Sequence, residues 1–131
     1  MSHLALTAIL VDDYDRAISF FTEALGFEVS EDSPSTTNDG RPKRWVVVRP
    51  PAGETGLLIA RADGDQQVRA IGNQFAGRVG FFHRVDDFAE AYERLQRHGL
   101  DFIGEPRSEE YGEVVVFVDI WGNKWDLLGP G

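Results

Sequence analysis

The second half of the chain repeats the first half, and this repeat constrains the fold more than any other feature. The segment LTAILVDDYDRAISFFTEALGFEV begins at Leu6, and GRVGFFHRVDDFAEAYERLQRHGLDF begins at Gly77. Each copy carries a Val-Asp-Asp turn, which starts at Val11 in the first copy and at Val85 in the second. Each copy therefore predicts a strand, an acidic turn, an amphipathic helix, a glycine stop and a further strand.

The spacing of apolar residues predicts one helix in each copy. An aspartate pair, Asp12–Asp13 or Asp86–Asp87, stands at each helix start. Aspartate suits this position because its carboxylate accepts hydrogen bonds from the unpaired amides of a first turn. A glycine, Gly26 or Gly99, ends each helix because it adopts left-handed backbone without a steric penalty.

Eight strands complete the pattern and give each half a β-α-β-β-β order. They are predicted at 4–11, 27–31, 44–49, 56–61, 78–85, 101–104, 113–119 and 124–129. The predicted fold class is α+β, a single domain over residues 1–131 with two tandem modules, 4–61 and 78–129. The linker over 62–77 is expected to hold a short helical turn, and the polar segment Glu31–Lys43 is expected to be an exposed, mobile loop.

Composition excludes several function classes. The chain has 131 residues with a formal net charge of −9, which disfavours binding to nucleic acid or to anionic membranes. It has no cysteine, so disulfides, thiolate metal ligands and a cysteine nucleophile are excluded, and a reducing cytoplasm is the expected location. The apolar start runs directly into acidic residues and predicts a strand, not a signal peptide. No apolar run approaches the roughly 20 residues that cross a bilayer.

The two modules, the segment VDDYDRAISFFTEALGF and the closing DIWGNKWDLL together resemble the vicinal oxygen chelate superfamily over nearly the whole chain. That group includes glyoxalase I, extradiol dioxygenases, and the fosfomycin-resistance and bleomycin-resistance proteins. The resemblance implies that the modules form a curled, cup-shaped mixed sheet with helices on the outside. It also implies that the cup is often completed across a homodimer.

The resemblance also identifies four positions where metal-using members carry ligands. Here these positions hold Leu6, Gly80, the strand Leu57–Ala60 and Asp126, so only the last has a donor side chain. One carboxylate does not bind a divalent ion, which needs several converging oxygen or nitrogen donors. We therefore expect no metal and no other cofactor.

The three histidines are not expected to supply the missing metal ligands. His3 precedes the expected strand register, and His98 ends a helix, where the helix dipole favours it. His83 is three residues from Gly80, so alternation along a strand turns it to the opposite face. We expect His83 to be partly buried beside a helix.

Strand alternation predicts the residues that line the cup. Three sets should each share its face: Leu6, Ala8 and Leu10; Gly80, Phe82 and Arg84; and Lys124, Asp126 and Leu128. Asp126 is the best candidate for ligand binding or catalysis, since it could accept a hydrogen bond from a ligand amine or hydroxyl. The alternative is a structural ion pair with Arg84 or Lys124.

Three further residues are candidates for contact with a ligand. Trp45 begins a strand beside the long loop and could stack on a flat molecule or pack in the core. Trp121 lies in a turn and could cover the cup or lie in a dimer contact. Asn73 lies in the linker, and its side-chain amide could donate a hydrogen bond to a ligand in the cup. Trp125 is expected in the core.

These features predict a metal-free member that binds a small, partly apolar molecule, with a sequestering role like that of bleomycin-resistance proteins, as a homodimer. One alternative is a lyase, isomerase or dioxygenase, either metal-dependent or with Asp126 as general base. Another alternative is an interaction module whose cup is filled by its own side chains.

Overall fold

The computed structural model describes residues 1–130, which contain eight strands and three helices in two compact units, Met1–Ile71 and the chain from Gly72 onward. In chain order, the elements are β1 (Leu6–Val11), α1 (Tyr14–Glu23), β2 (Glu28–Thr36), β3 (Pro42–Arg49), β4 (Gly56–Arg61), α2 (Asp65–Ala70), β5 (Val79–Arg84), α3 (Phe88–Arg97), β6 (Asp101–Glu109), β7 (Gly112–Val118) and β8 (Lys124–Leu128).

Each unit contains its own four-stranded mixed sheet. The order is β1-β4-β3-β2 in the first unit and β5-β8-β7-β6 in the second. In both sheets the first and last strands of the module pair in parallel, and the other neighbours pair antiparallel. The same topology in both units confirms the two predicted β-α-β-β-β modules.

The helix boundaries follow the predicted capping residues. The Asp13 carboxylate accepts a hydrogen bond from the Arg16 amide at 2.7 Å, and the Asp87 carboxylate accepts one from the Glu90 amide at 3.1 Å. The glycine that follows each of these helices, Gly26 or Gly99, has left-handed backbone with φ of 71° or 73°. The repeated signals therefore begin and end the two helices in the same way.

The segment predicted as a long mobile loop is mostly a hairpin. β2 and β3 pair as far as Thr36 and Pro42, so only residues 37–41 form the loop. The prediction of a loop over Glu31–Lys43 is therefore wrong. The prediction rested on composition alone. Serine, threonine and an edge-strand proline are compatible with a strand when the antiparallel partner provides the backbone hydrogen bonds.

Each unit buries one face of its sheet against its main helix. In the first unit the core contains aromatic side chains of α1 and its following turn together with branched residues of three strands. Its fully or nearly buried members include Phe20, Phe21, Phe27, Ile9, Val46, Val48 and Ile59. In the second unit Trp125 is 2% exposed and stacks between Phe81 and Phe117, at 4.5 and 5.6 Å between ring centroids.

Candidate functional site

The last strand presents three half-buried side chains on the sheet face opposite the core of the second unit. Lys124, Asp126 and Leu128 are each intermediate in exposure, whereas Trp125 and Leu127 are buried. Alternation along β8 is therefore as predicted. This face is the surface on which a ligand could contact the second module.

Asp126 lies in a row of otherwise apolar side chains that crosses all four strands. It pairs with Phe82 of β5 on one side and Val116 of β7 on the other, and Val116 pairs in turn with Ile103 of β6. Residues opposite one another on paired strands point to the same side of a sheet. Phe82 and Ile103 are 64% and 48% exposed, so a carboxylate lies among apolar groups open to solvent.

The Asp126 carboxylate makes no hydrogen bond or ion pair to any other residue within 1–130. Burial raises its pKa above the ordinary value of 3.8, and the positive charge of Arg107 partly opposes this shift. Because the carboxylate is desolvated and unpaired, a ligand that donates a hydrogen bond or carries positive charge would stabilise it.

The two basic residues expected near Asp126 bind backbone oxygens instead. The Arg84 guanidinium donates to the carbonyl of Gly129 and, at 3.4 Å, to that of Tyr111. The Lys124 ammonium donates to the carbonyl of Gly77 at 3.0 Å. The structural ion pair considered for Asp126 is therefore absent.

Gly80 breaks the alternation that was predicted for β5. The register against β8 shifts between Val79 and Phe81, so Phe82 and Arg84 share a face but Gly80 lies in the irregularity. A Cβ atom at Gly80 would lie 2.1 Å from a ring atom of Phe75. An aromatic ring thus fills the space that a metal-coordinating side chain would need at position 80.

The residues at the four family positions do not fit a metal ion. Leu6 and the strand Leu57–Ala60 supply no donor side chain, Gly80 has no room for one, and Asp126 is a single carboxylate. Within the described part of the chain, no three His, Cys, Asp or Glu side chains are grouped closely enough to hold a metal.

His83 lies where strand alternation predicted it. It pairs with the fully buried Leu127, on the core side of β5, and is itself half-buried. Burial lowers its pKa below the ordinary value of 6.5. Its face is opposite that of Asp126, so the two side chains do not form one acid–base pair.

The structure places the remaining candidates in different local settings. Trp45 is 36% exposed in the first unit, and its indole donates to Glu31 at 2.9 Å. Trp121 is half-buried in the turn before β8, and its carbonyl oxygen packs against Gly72. Asn73, next to Gly72, is exposed, and its carbonyl accepts a hydrogen bond from Ala76.

Sequence reasoning missed the role of Asp119. This residue is 5% exposed, and one of its carboxylate oxygens accepts hydrogen bonds from the amides of Trp121, Gly122 and Asn123. The other oxygen accepts from the Asn123 amide group and from the Trp125 indole. Asp119 thus fixes the turn that leads into β8 and positions Asp126. The Asp-x-x-Gly-Asn pattern was the signal that could have revealed it.

Comparison with known proteins agrees with this geometry. The profile of the Glyoxalase/Bleomycin resistance protein/Dioxygenase superfamily matches residues 2–127. The chain belongs to this superfamily. The two β-α-β-β-β modules are the fold of its members. No helix within residues 1–130 is long and apolar enough to cross a membrane.

Individual proteins similar to the chain align with it over most of their length. An uncharacterized protein of Shewanella frigidimarina is 46% identical over 92% of this chain and 88% of its own. The solved structure of TnmS3, an antibiotic binding protein from Streptomyces sp. CB03234, is similar with a TM-score of 0.77 and 27% identity, covering 100% of this chain and 98% of that one. The structure of UcmS2 has a TM-score of 0.76 and 29% identity, covering 98% of each chain.

Proposed function

We propose that the protein binds a small, partly apolar molecule on the face of the second module around Asp126, and that it does so without a metal. The observation that carries this proposal is the unpaired, half-buried Asp126 carboxylate beside the exposed Phe82 ring. A few polar groups set among apolar side chains are typical of small-molecule sites.

The chemistry of this face suggests what the ligand should carry. An amine or hydroxyl would pair with Asp126, and a flat apolar portion would cover Phe82 and Ile103. The formal net charge of −9 favours a neutral or cationic molecule over an anion at this surface. The similarity to an antibiotic binding protein supports sequestration as the role.

We infer that the working form is a homodimer in the cytoplasm. Exposed large apolar side chains are present in both units, and surface of this kind commonly marks a protein interface. Apart from Phe82 and Ile103 on the proposed ligand-binding face, they include Leu4, Val29, Val68 and Tyr111. The lack of cysteine is consistent with a reducing compartment.

A thermal-shift screen tests the binding proposal, since a ligand that binds only the folded state raises the melting temperature. The panel should contain cationic aromatic metabolites, antibiotics and divalent ions. Hits should lose most of their shift in Asp126→Asn and Phe82→Ala. Glu110→Gln, which removes an exposed carboxylate from the β6–β7 turn, should keep it. Equal shifts in all four proteins would contradict the proposal.

The raised pKa of Asp126 favours one second function, a lyase or isomerase with this carboxylate as general base. For a base, Asp126→Asn would abolish turnover while leaving much of the substrate affinity. For a binder, the same variant would lose affinity and no turnover would be seen with any hit from the screen. Titration calorimetry and product analysis on the same ligands separate these outcomes.

A further inference from the structure

A cavity of about 570 Å³ lies within Met1–Ile71, where two neighbouring strands separate. β3 and β4 pair only through Val46–Val48 and Leu57–Ile59. Before this stretch, Pro42–Trp45 pairs with β2 alone, and after it Ala60–Arg61 pairs with β1. The cavity is lined by both separated strand ends, so it is an opening in the sheet.

Aromatic and apolar groups line part of this cavity. Tyr14, only 6% exposed, carries the guanidinium groups of Arg44 and Arg61 over its ring, at 5.2 and 4.9 Å from the ring centroid. The Tyr14 hydroxyl accepts a hydrogen bond from the Arg44 amide at 3.2 Å. Trp45 and Leu58 add apolar surface to the lining. A ligand could thus bury an apolar portion here.

The β2–β3 turn is tied to the end of β4 at one side of the cavity. Arg41 donates two parallel hydrogen bonds to the carboxylate of Asp63, at 3.0 and 2.8 Å. The turn itself is held by Thr37, whose amide donates to the Arg41 carbonyl and whose hydroxyl accepts from the Arg41 amide. A bidentate pair of this kind fixes direction as well as distance.

Two of the four basic side chains that line the cavity are already neutralised. Arg41 and Arg44 are each shared between two aspartates. The pairs are Arg41 with Asp39 and Asp63, and Arg44 with Asp15 and Asp32. Hydrogen bonds from Arg44 and Arg41 hold the pKa values of Asp32 and Asp63 below the ordinary range. The pKa of Asp39 is lowered first by the Thr37 hydroxyl and then by Arg41.

The other two, Arg61 and Lys43, form no ion pair with a carboxylate among residues 1–130, although the charge of Arg61 contributes to lowering the pKa of Asp63. Arg61 makes one long hydrogen bond, 3.4 Å to the carbonyl of Pro42. Both side chains line the same cavity, so their positive charges are available to an anion bound there.

We propose that this cavity binds a small organic anion. Its carboxylate, sulfonate or phosphate group contacts Arg61 and Lys43, and its apolar part packs against Trp45 and Leu58. A guanidinium offers a planar set of donors that matches such oxyanions. The site uses only residues of the first module and none of those around Asp126, so it extends the proposed function and each proposal can fail alone.

Fluorescence titration with anilinonaphthalene sulfonate, an aromatic anion, tests the proposal. Phenylnaphthylamine has the same rings without the sulfonate and serves as the matched neutral probe. We expect saturable binding of the anion to the wild type that weakens as salt is added. Arg61→Gln and Lys43→Gln should each weaken it about fivefold, as for loss of one partly exposed charge pair, and should leave the neutral probe unchanged.

Three control variants locate the bound anion. Arg97→Gln removes an exposed cation from α3, and Asp126→Asn and Phe82→Ala alter the face of the second module. All three should bind the anion like the wild type, and far-ultraviolet circular dichroism should be unchanged for every variant. Loss of binding in Phe82→Ala alone, wild-type affinity in both Arg61→Gln and Lys43→Gln, or no saturable binding to the wild type would overturn the proposal.

Discussion

At the scale of single residues, Asp119 holds together the turn that precedes β8. Its buried carboxylate accepts five hydrogen bonds from the turn before β8 and from the Trp125 indole. We predict that Asp119→Ala lowers the free energy of unfolding by about 3 kcal/mol, because it leaves buried donors without an acceptor. Urea unfolding followed by tryptophan fluorescence measures this loss.

Asp101→Ala is the matched control for Asp119. Asp101 is an exposed aspartate at the start of β6, in the same sheet. Its removal should change stability by less than about 0.5 kcal/mol, as for most surface substitutions. If the two variants unfolded at the same urea concentration, the hydrogen-bonded turn would not be an important source of stability.

Gly80 gives a second prediction, which concerns the stability cost of adding a side chain at this family metal-ligand position. An added Cβ would lie within 2.1 to 2.3 Å of three ring atoms of Phe75. Gly80→Ala should therefore cost about 2 kcal/mol of stability through overpacking. In Phe75→Ala, which removes the ring from Cγ outward, the same change should cost much less. Additive losses in the double variant would show that the ring is not the obstacle.

His83 gives a prediction for the effect of pH. Burial lowers its folded pKa below 6.5, so the unfolded chain takes up a proton that the folded chain resists. Neutral His83 therefore makes its full contribution to the free energy of unfolding above about pH 6.5, and this contribution is lost as the pH falls below that value. His83→Gln should therefore lose less stability than the wild type between about pH 7.5 and 5.5. Urea unfolding of both proteins at both pH values tests this. If the wild type and His83→Gln lost the same free energy of unfolding between the two pH values, the prediction would be refuted.

At the scale of elements, helices α1 and α3 can be compared directly because each begins with an aspartate cap. Asp13 and Asp87 each accept one hydrogen bond from the first turn of their helix. Replacing either by alanine should cost about 1 kcal/mol. Asp86→Ala, next to the second cap, is the control and should cost far less. Chemical denaturation of the three variants gives the comparison, and an equal cost for Asp86→Ala would argue against capping.

The elements were predictable where the signal was local. Helices bounded by Asp13 and Gly26, or by Asp87 and Gly99, follow from side chains that satisfy or end a helix by themselves. The β2–β3 hairpin was not predictable from composition, because its pairing depends on the partner strand. For the same reason the irregularity at Gly80 was missed, since it depends on the position of the Phe75 ring.

At the scale of the whole molecule, the repeat predicts the modules and leaves the site partly undetermined. Comparison of the copies correctly assigned Asp126 to the face opposite the core, because strand alternation is a local rule. It did not predict that Arg84 and Lys124 bind backbone carbonyls. Nor did it find the cavity of the first module, because that cavity depends on where β3 and β4 stop pairing.

The proposed homodimer leads to a prediction about salt. Association through exposed apolar groups such as Val29 and Val68 would be opposed by repulsion between two chains of net charge −9. Added salt screens this repulsion, with a Debye length that falls from about 10 Å at 0.1 M to about 3 Å at 1 M. We therefore expect dimerisation to strengthen as sodium chloride is raised. Sedimentation velocity should give twice the chain mass of 14.6 kDa. A species that stays at the single-chain mass across the salt series would contradict the dimer, and a dimer that dissociates with added salt would indicate an interface dominated by ion pairs.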